Sequence, residues 1–192
     1  MTVGFADVDA LFHALAASRD ADDEGGLPIL DHCLQCAARL RGSHPEDVEL
    51  QVAGLVHDLG WLESRGGAWT LRLDAAHDVE GRALVEGLLG PRIAALVGGH
   101  VAAKRYLLAT DRDYASLLSA RSEETLGFQG GVMTPAEVTE FEGRPDRDDL
   151  VALRRADDAA KVRGATVDPL ESWRPAVDQV ATRHRTGVSS AE

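Results

Sequence analysis

A chain of 192 residues is long enough for one domain with a substantial core. Its 32 Asp and Glu against 20 Lys and Arg leave a net charge of −12, which excludes a role built on gripping a nucleic-acid backbone or an anionic membrane surface. No apolar run approaches the roughly 20 residues of a membrane span, and the segment from Met1 to Leu15 lacks the basic start and unbroken apolar core of a secretion signal, so a cytoplasmic location is expected.

In chain order the pattern reads as helices, and an all-α bundle is the expected fold: a single domain over residues 1–186 with a disordered tail over 187–192. Leu11, Phe12, Leu15 and Ala16 form a helical stripe within Val3 to Ser18. An acidic loop from Ala21 to Gly26 follows, and Pro28 opens a second helix to about Leu40. Cys33 and Cys36 lie on it. With no second such pair and no strand-turn context, they read as small buried apolar residues rather than a redox or zinc pair. Gly42, Ser43 and Pro45 break the chain before a helix over Glu46–Leu59, with Val48, Val52, Leu55, Val56 and Leu59 on one face and Gly60 as its stop. Glu63 to Leu73 is Gly-rich and polar and reads as a loop over the site. A helix starting at Asp74 or Asp78 runs through Leu88, Gly90-Pro91 separates it from a helix over Arg92 to about Leu108, and a further helix spans Ala115–Gly127. Gln129-Gly130-Gly131 forces a turn, Thr134 to Glu137 opens a helix by a capping box, and Asp148–Val162 is the last helix expected.

Four histidines and two aspartates stand out along this frame: His32, the adjacent His57-Asp58, His77, His100 and Asp157. Neutral imidazole and carboxylate suit Fe, Mn, Co and Zn, and an Asp directly after a His can bridge two metals while its neighbour binds one. Separations of 25, 20 and 23 residues between successive histidines match one helix plus one connection each. Each donor is therefore expected from a different helix of one bundle, with His32, His57, Asp58 and Asp157 around one metal and Asp58, His77 and His100 around the other. Taken singly, His32 reads better as a hydrogen-bonded helix residue and Asp157 as a partner of Arg154. The Asp of His57-Asp58, set among Leu55, Val56 and Leu59, needs a partner if it is buried. Gly98-Gly99 before His100 suggests that the backbone there is closely approached. His13, His44 and His184 are left as ordinary helix or surface residues.

The order of these donors resembles the HD-domain superfamily, metal-dependent helical proteins whose best-known members are phosphohydrolases. The blocks His32 to Ala37, Leu55 to Gly60, Gly99 to Leu107 and Thr125 to Met133 resemble its PhnZ-type branch of mixed-valence diiron oxygenases, which cleave the carbon–phosphorus bond of 1-hydroxyphosphonates. The resemblance spans Ala17 to Lys161. It implies two irons as Fe(II)/Fe(III) held by His32, His57, Asp58, His77, His100 and Asp157, with His57 and Asp58 at the catalytic centre and dioxygen as co-substrate. It implies an organophosphonate held by Lys104, Ser122, Thr125, Gln129 and Arg154. Lys104 follows His100 by one turn and Arg154 precedes Asp157 by three residues, so both cations are expected to border the metals; surface ion pairing is the plainer alternative for either alone.

Two positions depart from the branch. Trp61 stands where the branch has a phosphonate-holding histidine, and the acidic run Asp20 to Gly26 replaces a tyrosine and glutamate that recognise the substrate amine. Glu24 and Trp61 are accordingly expected to meet a bulkier or methylated ammonium, the indole by cation–π attraction. Two other classes remain open at this point: a metal-dependent phosphohydrolase using the same six donors, distinguished by turnover without dioxygen, and a non-catalytic metabolite-binding protein, distinguished by bound ligand without turnover. No nucleic-acid or membrane partner is expected, and the sequence leaves the oligomeric state open.

Overall fold

The computed structural model describes residues 4–21, 26–65, 68–71 and 76–189. Helix α1, Val8–Ala17, is capped by Asp7, whose carboxylate accepts from the Ala10 N–H at 2.8 Å. Helix α2, Ile29–Ser43, has Pro28 as its N-cap residue. Helix α3, Val48–Val56, is capped by the Asp47 carboxylate and stops short of the expected Leu59. His57 ends it, Asp58 leaves helical geometry, and Leu59–Trp61 forms a short 3-10 turn. Helix α4, His77–Leu89, and helix α5, Pro91–Thr110, follow.

The segment expected as a loop over the site is in part a hairpin. Strands β1, Leu62–Arg65, and β2, Ala68–Leu71, pair antiparallel, with Leu62 opposite Leu71 and Arg65 opposite Ala68. Two four-residue runs separated by Gly66-Gly67 carry the sequence signature of such a connection. The single helix expected over Ala115–Gly127 is two pieces: a 3-10 turn over Tyr114–Leu117, then α6, Ala120–Leu126, restarted by Ser119, whose hydroxyl accepts from the Ser122 N–H. Gly130 and Gly131 make the expected turn, at φ 94° and 69°, values that favour glycine. Helix α7, Pro135–Glu142, has the expected capping box between Thr134 and Glu137, and α8 spans Arg147–Ala159. A further helix, α9, Arg174–Ser189, has no counterpart among the expected elements, and it continues through Gly187 to Ser189 where a disordered tail was expected; residues 190–192 lie outside the described residues.

Helices α2, α3, α5 and α8 pack on one another with α4 against α5, and α9 lies against α3 and α4. Leu30, Leu50, Leu55, Leu59, Ile93, Val97, Leu150 and Leu153 fill the shared core and are fully buried. Trp173 and Val177 bring the start of α9 into it. Cys33 and Cys36 are buried, unbridged core residues, as expected. Two glycines set spacings that the site depends on. A Cβ on Gly99 would lie 2.6 Å from a Leu150 methyl, so the close approach inferred at Gly98-Gly99 is that of α8 to α5. A Cβ on Gly60 would lie 1.7 Å from the His77 carbonyl oxygen, so only glycine lets the turn after Asp58 pass the start of α4. Arg92 on α5 ties three helices together from outside, donating to Asp47, to Glu49 and, on α8, to Asp149 at 2.6–2.9 Å.

Candidate active site

The fold brings all six expected donors to one buried place. His32 comes from α2, His57 from the end of α3, Asp58 from the turn after it, His77 from the first turn of α4, His100 from mid-α5 and Asp157 from α8. None is more than 6% exposed. They fall into two clusters able to hold a metal ion, His32, His57 and Asp157 in one and Asp58, His77 and His100 in the other. Asp58 spans both: its Oδ2 lies 3.5 Å from Nε2 of both His32 and His57, while its Oδ1 lies 3.7 and 3.8 Å from Nε2 of His77 and His100. The Asp157 Oδ1 is 3.2 Å from His32 Nε2.

The hydrogen bonds behind the rings show what this arrangement lacks. His57 Nδ1–H donates to the Gly54 carbonyl at 2.9 Å, His100 Nδ1–H to Val97 at 2.7 Å and His32 Nδ1–H to Ala160 at 3.4 Å. Each donation assigns the ring proton to Nδ1 and leaves Nε2 as a lone pair. Yet His32 and His57 face each other Nε2 to Nε2 at 3.2 Å, and His77 and His100 do so at 3.0 Å, with carboxylate oxygens beside them. Burial, reinforced by the neighbouring imidazole, lowers the His77 pKa to about 3, and burial together with His57 lowers that of His100. Burial alone would raise the Asp58 carboxyl, but His57, His32 and His77 hold it below the usual carboxylate range. Burial likewise opposes the Asp157 charge, and Arg154 beside it with His32 brings its pKa well below the ordinary value. Buried acceptors that converge on one another and resist protonation can be satisfied by cations between them. The donor set, four imidazoles and two carboxylates with one bridging, fits two first-row divalent or trivalent ions.

Beside the clusters opens a polar pocket. Lys104, Ser122, Thr125, Gln129 and Arg154, all expected there, line it together with Asp58, His77, His100 and Asp157. Lys104 is 2% exposed, and its ammonium donates to the Ser122 carbonyl and the Thr125 hydroxyl, both at 3.2 Å, and to the Gln129 side-chain oxygen. All three acceptors are neutral. Burial, with Arg154 and Lys161 nearby, lowers its pKa to about 8. Arg154 is differently placed: its NH1 meets Asp157 Oδ2 at 2.8 Å, its Nε donates to the Tyr114 hydroxyl at 2.9 Å, and it grips Asp158 through two nitrogens. The pairing with Arg154 considered for Asp157 alone is thus present together with its place among the donors.

Four contributors were not singled out from the sequence. Asp158 follows a donor directly and lies one turn beyond Arg154, a legible signal, and Lys161, which donates to the Ser119 and Ser122 hydroxyls at 3.2 and 3.0 Å, lies one turn beyond Asp157. Tyr114 and Arg121 arrive from segments with no such local mark. Trp61 lines the same pocket; its ring stacks on His77 at 4.1 Å and 11°, and the Arg121 guanidinium sits over the same indole, 5.7 Å from its centroid. Glu24 lies outside the described residues.

Fold and site together define a helical protein with two His/Asp clusters that could each hold a metal ion, approached by one shared carboxylate and set next to a pocket with buried cations. No family model matches the chain. It is 33% identical over 174 residues to the hydroxymethylphosphonate dioxygenase of Gimesia maris, covering 89% of this chain and 86% of that protein. It is also 33% identical over 171 residues to the glycine-betaine-forming [1-hydroxy-2-(trimethylamino)ethyl]phosphonate dioxygenase of Leisingera caerulea, covering 86% and 87%. The chain belongs to this family of phosphonate dioxygenases.

Proposed function

We propose that this protein is a diiron oxygenase of the HD-domain type that uses dioxygen to cleave the carbon–phosphorus bond of a 1-hydroxyphosphonate. One substrate molecule and one O2 give one carboxylic acid and one phosphate, with no further reductant. The observation that carries the reading is the opposition of Nε2 atoms at 3.2 and 3.0 Å, with the ring protons of His32, His57 and His100 on Nδ1 and the two oxygens of Asp58 facing the two pairs, beside an ammonium, Lys104, whose described hydrogen-bond partners are all neutral. The relatives' names supply the reaction type that this geometry serves.

His32, His57, Asp58 and Asp157 would hold one iron and Asp58, His77 and His100 the other, as a mixed-valence Fe(II)/Fe(III) pair. When bound, the pair supplies oxygen activation and Lewis acidity toward the 1-hydroxyl and a phosphonate oxygen, so no side-chain base is required to ionise that hydroxyl. The chain's own residues do the rest. The Nδ1 donations fix three ring orientations before substrate arrives. Arg154, locked by Asp158 and Tyr114, holds Asp157 by its outer oxygen and keeps it ionised. Lys104 presents charge to the phosphonate, aimed by the Ser122 carbonyl and by the Thr125 and Gln129 side chains; the Ser122 and Thr125 hydroxyls and the Gln129 amide can turn to the anion in turn. The anion replaces neutral carbonyl and hydroxyl partners, so the buried charge gains its counter-charge only when substrate is present.

A phosphohydrolase would use the same donors, and the two reactions separate by metal and by air. Protein isolated with iron is expected to hold two equivalents and to give a mixed-valence electron paramagnetic resonance signal. Full activity in protein containing only zinc would overturn the assignment. The relatives differ in the organic part of the phosphonate that their names give, none beyond the hydroxymethyl in one and a trimethylamino group in the other. Membership in the family therefore leaves that part of this chain's substrate open.

A further inference from the structure

Thr125 and Gln129 reach the pocket from a segment with little apolar anchoring. Ser122 is the buried residue of the short helix α6, and between Ser122 and Met133 no residue is buried; Phe128 and Val132 are 78% and 50% exposed. Such a segment opens easily unless other contacts hold it. At its N-terminal end Arg154 and Lys161 donate to the Ser122 hydroxyl. At its C-terminal end the chain folds back, the Gln129 N–H donating to the Thr125 carbonyl at 3.1 Å and the Gly131 N–H to that of Leu126 at 2.9 Å. Arg105 closes on this turn. It follows Lys104 on α5, and the lining of the pocket includes Lys104 but not Arg105. Its Nε–H donates to the Gly131 carbonyl at 2.8 Å, and its Nη2 donates to the Gly130 carbonyl at 3.3 Å and to Glu137 at 2.6 Å. The other oxygen of Glu137 accepts from the N–H and the hydroxyl of Thr134, at the start of α7. A Cβ on Gly130 would lie 3.2 Å from the guanidinium carbon, at a φ of 94°, so the turn and the arginine fit together only with glycine.

We propose that Arg105 is a positioning residue for the phosphonate: with Glu137 it clamps the Gln129-Gly130-Gly131 turn to α5 and so sets Gln129, and the Thr125 end of α6, over Lys104. Neighbouring residues of α5 thus divide the work, Lys104 facing the anion and Arg105 holding the segment that supplies its partners. The clamp matters most when substrate arrives. Thr125 and Gln129 then turn from the ammonium to the anion, and Lys104 gives up its contacts to them. The contacts of Arg105, to backbone carbonyls and to Glu137, are unaffected by that exchange. This rests on the reading of the pocket as a phosphonate site.

The test uses hydroxymethylphosphonate with wild type, Arg105→Gln, Gln129→Ala, the double variant and Gly130→Ala. Binding is measured by calorimetry on metal-loaded protein without oxygen, phosphate release separately in air, and backbone amide exchange on protein without substrate. Arg105→Gln is expected to weaken binding and raise KM roughly threefold to tenfold, the worth of one hydrogen bond, with kcat within about twofold of wild type because the reacting atoms are untouched. Since Arg105 acts through Gln129, the double variant should bind no more weakly than Gln129→Ala alone, whereas a general loss of structure would add to it. Gly130→Ala, which leaves every charge in place, should reproduce the loss. In Arg105→Gln the amides of residues 123–131 should exchange faster while those of α2 and α8 keep their wild-type rates. Additive losses in the double variant, unchanged binding in Arg105→Gln, faster exchange spread over the whole bundle, or no binding by wild type would overturn the proposal. The expected pattern of binding without phosphate release in air would leave it standing and refute the carbon–phosphorus cleavage instead.

Discussion

Lys104 and Arg154 look equivalent as pocket cations, but their partners predict opposite responses to removal of the charge. Lys104 is held at a pKa of about 8 against an ordinary 10.5, so the fold opposes its charge by about 3 kcal/mol. Because the folded value is the lower one, this penalty is fully present below pH 8 and is relieved as pH rises toward 10.5. Replacement by the similarly long, apolar Met removes the penalty and leaves three neutral acceptors without a donor, at about 1 kcal/mol each. The two nearly cancel, so Lys104→Met should melt at or slightly above the parent temperature. Arg154→Met instead leaves Asp157, Asp158 and Tyr114 buried without their common partner, a loss of about 3–5 kcal/mol for a broken buried ion pair. In phosphate-release assays Lys104→Met should raise KM by about one to two orders of magnitude, the equivalent of a charge-assisted hydrogen bond of about 1.5–3 kcal/mol, with iron content unchanged. The wild-type KM should also rise above pH 8, where binding the anion requires Lys104 to take up a proton first, and Lys104→Met should lose that dependence. Strong destabilisation of Lys104→Met with unchanged KM would refute the reasoning, because it would make the ammonium a structural cross-link.

Other consequences can be measured on single variants. Asp58→Ala removes a side chain that faces both clusters and should lose both metals, whereas His77→Ala should empty mainly one position; two full equivalents retained in Asp58→Ala, by elemental analysis, would contradict the bridge. Gly60→Ala pushes a methyl into the His77 carbonyl and should cost about 4 kcal/mol or more, seen as a large fall in melting temperature, and a near-neutral effect would mean that the turn after Asp58 is not as tight as described. Arg92→Ala unties α3, α5 and α8 at a half-exposed junction, so urea unfolding should show a loss near 1–2 kcal/mol, several weak pairs rather than one buried one, with substrate KM unaffected.

Three of the six donors carry a local mark, His57-Asp58 in an apolar helix end and His100 after paired glycines, while His32, His77 and Asp157 were legible only from the order and spacing of the set. Helical geometry then converts sequence spacing into direction, and α2, α3, α4, α5 and α8 came close to their expected bounds. What was not legible depends on contacts between distant segments. Tyr114 supports Arg154 across 40 residues, and the neutrality of Lys104's partners becomes visible only when α6 folds over α5. The α9 segment is rich in Arg and Thr, and its burial rests on a narrow stripe, Val177, Val180 and Ala181, anchored by Trp173. At Trp61 the residue type was legible and its neighbours were not: the stack on His77 and the nearby Arg121 appear only once the chain is folded.

The central claim is oxidative cleavage at the paired clusters, and it is tested most directly by following oxygen consumption and phosphate release together, with a 1-hydroxyphosphonate and the iron-loaded protein. One O2 consumed per phosphate formed, with no phosphate under argon, is the expected result. Phosphate released at the same rate without oxygen would contradict it and make the same six residues the centre of a hydrolase.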